Sequence, residues 1–178
     1  IKQVAGPLSV PLSILINNLI VQGVFPSALK YAKVIPIFKK GSKISPENYR
    51  PVSILPTLSK VFERLIYNQL STFLEKNSLI SPTQFGFVKD RSTSHAINDF
   101  VKTCISDLDS GNCVAGIFCD LSRAFDTVDH RLLLQKLEVY GVRGIALMWF
   151  HSYLSGRSQL VEIMNNSSRW KSDYLPIT

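Results

Sequence analysis

The sequence predicts an α+β fold, with helices packed on a small mixed or antiparallel sheet. Several segments repeat apolar residues every three or four positions, short β-prone runs stand between them, and long helical insertions separate those runs. With 46% hydrophobic and 19% charged residues, the 178-residue chain can bury a core and does not have the composition of a disordered polymer.

Residues 8–22 place Leu8, Leu12, Leu15, Ile16, Leu19 and Ile20 at helical spacing, and Gly23 and Pro26 end the helix. The run AKVIPIF, residues 32–38, is β-prone, but proline cannot donate to a ladder, so Pro36 assigns it to an edge strand or irregular extension. Residues 39–51, KKGSKISPENYRP, read as loop, with Pro51 keeping Arg50 extended. A long helix follows over 57–77, with Leu58, Val61, Phe62, Leu65, Ile66, Phe73 and Leu74 on one face and Asn77 to close it. The turn-rich connector 80–92 holds Phe85, Gly86, Phe87, Lys89 and Arg91. Ser92 is a good N-cap for a helix carrying Ala96, Ile97, Phe100, Val101, Cys104, Ile105 and Leu108, which Gly111 stops.

Next comes a strand-forming run, residues 114–119 (VAGIFC), cut short by Asp120. Asp129 is placed to cap a helix over 130–140 that ends at Gly141, and a further helix over 144–155 ends at Gly156. Residues 158–164 and 169–177 read as two strands joined by the turn NNSS at 165–168. That turn also matches a glycosylation sequon, but without secretory context it reads as a turn.

Charge is concentrated. Between Lys30 and Arg64 eight bases face two acids, so this window holds six of the seven net positive charges. Such a field suits a phosphate-rich partner: nucleic acid, nucleotide or an anionic membrane surface. The apolar segment 8–25 is interrupted by Pro11, Ser13, Asn17, Asn18 and Gln22, short of the ~20 apolar residues of a membrane span. Cys104, Cys113 and Cys119 lack C-x-x-C spacing and read as reduced core residues of an intracellular protein. His95, His130 and His151 are scattered and form no zinc pattern.

Asp120 is the residue that carries chemistry. A carboxylate beside apolar packing is costly without a compensating cation or donor, so something positive is expected there. A strand that ends in an aspartate and turns into a helix is one way to hold Mg²⁺, which takes one or two carboxylates together with substrate phosphate oxygens. The plain alternative is a helix cap, and both readings stand at this point. Asp129 reads as a cap and Asp126 as a local hydrogen-bond acceptor. Phe125 would project near whatever Asp120 binds, or would fill core.

The segment IFCDLSRAFDTVDH, residues 117–130, resembles the first metal-binding motif of reverse transcriptases, in the form used by non-LTR retrotransposons. Residues 32–66 are similar to the fingers segment that opens the family's polymerase domain, 81–97 to its second segment, and 149–163 to the palm helix and strand after the first motif. The resemblance implies a right-hand polymerase fold, with residues 1–112 as the fingers region plus an N-terminal helix and 113–178 as the first part of an incomplete palm. It implies an RNA-directed DNA polymerase working on an RNA template, a DNA primer and dNTPs, with no membrane partner. Matched by position, Asp120 would ligate two Mg²⁺ ions and the backbone carbonyl of Leu121 would complete one shell. Phe125 would stack under the incoming sugar and exclude a 2′-hydroxyl. Arg50 and Lys39 or Lys40 would grip the triphosphate or template backbone, and Arg91 would support template or nucleotide.

Two departures matter. Val88 follows the Gly-Phe pair where family members often carry a base, and the family's Tyr-x-Asp-Asp hairpin is missing from these residues. The chain is therefore expected to be a fragment of a longer product, inactive by itself. A non-catalytic, basic RNA-binding remnant of such an element is the alternative.

Overall fold

The computed structural model describes residues 5–121, 124–165 and 168–177. It forms two compact units, one of Ile1–Asn68 with Asp129–Thr178 and the other of Gln69–Val128. The helices are α1 (Ala5–Val21), α2 (Thr57–Lys76), α3 (Thr93–Asp109), α4 (His130–Val139) and α5 (Ile145–Leu154). The strands are β1 (Tyr31–Phe38), β2 (Tyr49–Ile54), β3 (Ser158–Asn165), β4 (Ser168–Lys171) and β5 (Leu175–Pro176). The sheet runs β2-β1-β3-β4, with β5 also on β3. Its β1–β3 pair is parallel and the other pairs are antiparallel, so the sheet is mixed and the α+β expectation holds. Among the described residues no helix is long and apolar enough to cross a membrane.

The core of the first unit gathers around a turn residue. Gly23, at φ +67°, lets the chain leave α1 in a left-handed bend, and a Cβ there would meet the Met148 Cβ at 3.0 Å. Two residues later Phe25 is 1% exposed and clusters with Ile16, Phe62 and Trp149. Its ring meets Phe62, Trp149 and Tyr153 edge-on at 5.8, 5.6 and 5.0 Å, while Trp149 and Tyr153 stack at 5.3 Å. The indole Nε1 of Trp149 is buried without a partner among the described residues, but other polar groups at the margin are paired. The Phe25 amide donates to Ser152 Oγ at 3.0 Å, and Glu63 Oε1 accepts from Ser59 Oγ and the Tyr153 hydroxyl, each at 3.0 Å. Burial, reinforced by the Glu63 charge, pushes the Tyr153 phenol up to about 12.

Helix ends follow the capping residues. Ser92 Oγ accepts from the His95 amide, and Asp129 Oδ1 accepts from the Arg131 and Leu132 amides at 2.8 and 3.0 Å. Asn77 closes α2 by donating Nδ2 to the Phe73 carbonyl at 2.8 Å, and Ser78 takes the left-handed position at φ 54°.

Four expectations are corrected. β1 lies inside the sheet and is not an edge strand. Its ladder with β3 covers only residues 31–34, so Pro36 falls where the strand has β2 alone as neighbour and no donor is missed. β2 forms from residues read partly as loop, because Pro51 sits directly opposite Pro36 and neither needs to donate to the other. Residues 114–119 form no strand. Ile117 and Phe118 are exposed, no neighbouring strand among the described residues pairs with them, and β-propensity without a partner fixes nothing. Cys113 and Cys119 are consequently exposed instead of core, and Cys104 is half-buried; all three are free thiols. The turn expected at 165–168 lies partly outside the described residues.

Candidate functional site

The β1–β2 register puts Lys39, Lys40 and Arg50 at the same end of the hairpin. Arg50 lies opposite Ile37, and the Lys39 amide donates to the Asn48 carbonyl at 2.8 Å as the two chains separate. The intervening loop is tied down. Gly41 turns at φ +85°, Asn48 Nδ2 donates to the Ser42 carbonyl at 2.9 Å, and the Tyr49 hydroxyl donates to the Lys43 carbonyl at 2.9 Å. Lys39, Lys40 and Arg50 are exposed, and no ion pair engages them among the described residues. With no ion pair to them among the described residues, these three bases make one end of a braced hairpin locally positive.

The second unit carries the remaining residues. Asp120 stands at the end of the unpaired run 114–119, exposed, with no hydrogen bond or ion pair among the described residues. It caps no helix, since α4 is capped by Asp129. Among the described residues no cation compensates it, and because it is exposed to water rather than packed beside apolar groups it does not need one, which corrects the expectation of a positive partner from burial. Leu121 is exposed beside it. Phe125 is 77% exposed, and its ring meets Phe87 edge-on at 5.9 Å. Phe87 holds φ +59°, a conformation that bulky residues seldom adopt. Sequence reading placed Phe87 in the connector without a role; its only signal was the Gly-Phe pair of the second segment.

Arg91 acts as a clamp. Its Nη1 donates to the carbonyls of Pro82 and Gln84, the latter at 2.8 Å, and its guanidinium lies 5.7 Å from the Phe85 ring centroid. With Glu75, Ser78, Ile80, Pro82 and Val88 it lines a groove of ≈ 330 Å³. The base thus shapes the connector, with the apolar Val88 in the groove wall.

Among the described residues no three His, Cys, Asp or Glu side chains come together to hold an ion. Asp120 and the Leu121 carbonyl alone do not make a two-ion site, since one carboxylate and one carbonyl leave most of each ion's coordination shell unfilled.

Residues 37–176 match the family described as reverse transcriptase (RNA-dependent DNA polymerase). The chain belongs to the reverse transcriptase family. Its relatives are RNA-directed DNA polymerases of transposons and mobile elements. It is 32% identical over 164 residues to the probable RNA-directed DNA polymerase from transposon BS of Drosophila melanogaster, covering 88% of this chain and 17% of that protein. Identity to the RNA-directed DNA polymerase from mobile element jockey of the same fly is 36% over 126 residues, covering 70% of this chain and 14% of the relative. The probable polymerase from its X-element is 31% identical over 150 residues, 82% of this chain and 16% of the relative. The chain therefore spans about a sixth of the length of these reverse transcriptases. The family uses a divalent metal and nucleic-acid substrates in general, and the resemblance drawn from the motifs holds.

Proposed function

We propose that these residues form the fingers and first palm segment of an RNA-directed DNA polymerase of a non-LTR element, which extends a DNA primer with dNTPs on an RNA template. Residues 1–112 serve as the fingers region and 113–178 as the start of the palm. Asp120 carries the reading. It is an exposed carboxylate at the position of the family's first metal motif, with no protein cation or helix end to engage it among the described residues. A carboxylate so placed suits a divalent ion brought by a nucleotide. In the complete enzyme Asp120 and the Leu121 carbonyl would be ligands of a Mg²⁺ pair whose other carboxylates are those of the Tyr-x-Asp-Asp motif. These 178 residues do not hold that pair, and by themselves they are inactive in synthesis.

The rest of the work falls to groups in hand. Lys39, Lys40 and Arg50 bind phosphate oxygens by charge and, for Arg50, by a planar fork. Phe125, backed by Phe87, packs against the sugar and leaves no room for a 2′-hydroxyl. Arg91 orients the connector that meets template or nucleotide.

The test is Asp120→Ala in a protein of the relatives' full length, in a primer-extension assay with Mg²⁺. Loss of synthesis with template-primer affinity kept supports the assignment. Unchanged synthesis refutes it, and a parent that binds RNA but never extends a primer identifies a non-catalytic remnant.

A further inference from the structure

β3 carries one acid, Glu162, and that carboxylate is only 2% exposed. Its Oε2 accepts from Lys33 Nζ at 2.8 Å and its Oε1 from Arg169 Nε, while Lys171 Nζ stands 4.0 Å from Oε1. The bases come from β1 and β4 and stay a third to a half exposed. One negative charge therefore faces three positive ones. A structural ion pair needs a single cation, and the surplus bases repel one another unless an outside anion approaches. Lys171 is too far from Glu162 for a hydrogen bond, so its ammonium remains available to a ligand.

The register extends this charge across the sheet. Lys33, Ile35 and Ile37 alternate onto one face of β1; Ile37 pairs with Arg50, and Glu162 pairs with Lys171. Arg50 consequently shares the face, about 14 Å from Lys33 by strand rise and spacing. Four bases and one buried acid line a single sheet face.

We infer that this face is a second contact surface for nucleic acid, on which Lys33, Arg169 and Lys171 hold the phosphodiester backbone of an RNA–DNA duplex and Glu162 sets their spacing. The inference rests on the polymerase reading. Charge complementarity selects the partner, since the strands of the sheet carry four bases, Lys33, Arg50, Arg169 and Lys171, and Glu162 as their one acid.

The test is binding of labelled poly(rA)·oligo(dT) to the 178-residue chain over a range of KCl concentrations. Lys171→Ala should weaken binding about three- to tenfold at low salt and make the log K against log salt slope shallower by about 1. Lys171→Arg should restore both. Glu162→Gln, which frees one more positive charge, should tighten binding; a fold defect in that variant leaves the Lys171 series decisive. Wild-type affinity and slope in both Lys171→Ala and Lys171→Glu would overturn the surface while leaving the polymerase reading intact. No binding by the wild-type chain would also overturn the surface, while the polymerase reading is tested separately by Asp120→Ala in the full-length protein. If Lys171→Ala lost affinity only for a polyglutamate competitor, the partner would be an acidic protein segment and the nucleic-acid assignment would fall.

Discussion

Replacing Phe25 by alanine tests whether a turn residue is the centre of the first unit. Phe25 is 1% exposed and touches three aromatic rings at centroid distances of 5.0–5.8 Å. Removing a buried phenyl ring costs its transfer free energy and leaves a cavity, together about 3–5 kcal/mol. Edge-on ring contacts of about 0.5–1.5 kcal/mol each fall largely within that figure. Against a total stability of roughly 5–15 kcal/mol the loss is a third or more in most of that range. Phe25→Leu keeps most of the volume and gives up the ring contacts, so it should cost about 1–2 kcal/mol. The assay is urea unfolding followed by fluorescence of Trp149, which packs against Phe25. Both variants should lower the midpoint with the slope preserved, alanine more than leucine. A loss below about 1 kcal/mol for Phe25→Ala, close to that of a surface substitution, would refute the picture of a ring-centred core.

In a full-length polymerase, Phe125→Val should raise ribonucleotide incorporation relative to deoxynucleotide, measured by competitive primer extension; unchanged discrimination removes the sugar-contact role. Arg50→Ala should raise KM for dNTP roughly tenfold to a hundredfold, the value of a charge-assisted hydrogen bond of about 1.5–3 kcal/mol, and an unaltered KM would detach Arg50 from the triphosphate. Hydrogen bonds from Arg169 and Lys33 hold the Glu162 carboxyl down to about 2, against an ordinary 4.5. The folded state therefore binds fewer protons than the unfolded one, and the Glu162 contribution is complete above pH 4.5 and lost as pH falls toward 2. Acid unfolding curves should be flatter across that window for Glu162→Gln, and identical curves would show that the ion cluster does not support the fold.

The helices were legible because their signals are local. Ser92 and Asp129 cap where their side chains reach backbone amides two or three residues on, and the apolar spacing of 57–77 needs no distant information. Strands were less legible because pairing is not local. Pro36 pointed to an edge strand or irregular extension and Pro51 sat in a segment read as loop, whereas their register sets them opposite each other in a ladder. The run 114–119 looked like a strand, yet no neighbour among the described residues supplies its hydrogen bonds. For the candidate site, residue types pointed to Asp120, Phe125 and the bases of the hairpin, whereas the Phe87 contact and the clamp made by Arg91 appear only in three dimensions. Glu162 gave no sign in the sequence, since its partners come from strands 129 residues before it and seven to nine residues after it.

The parallel β1–β3 ladder sets a schedule for biosynthesis. Tyr31 pairs with Ser158, 127 positions later. At translation rates of about 5–20 residues per second, β1 waits roughly 6–25 s for that neighbour. During the interval the nascent hairpin offers Tyr31 to Val34 as an open edge to any other emerging chain. On a polysome crowded with copies of one message, the bases Lys30 beside that stretch and Lys33 within it act as electrostatic gatekeepers, keeping identical edges apart until the later strand arrives.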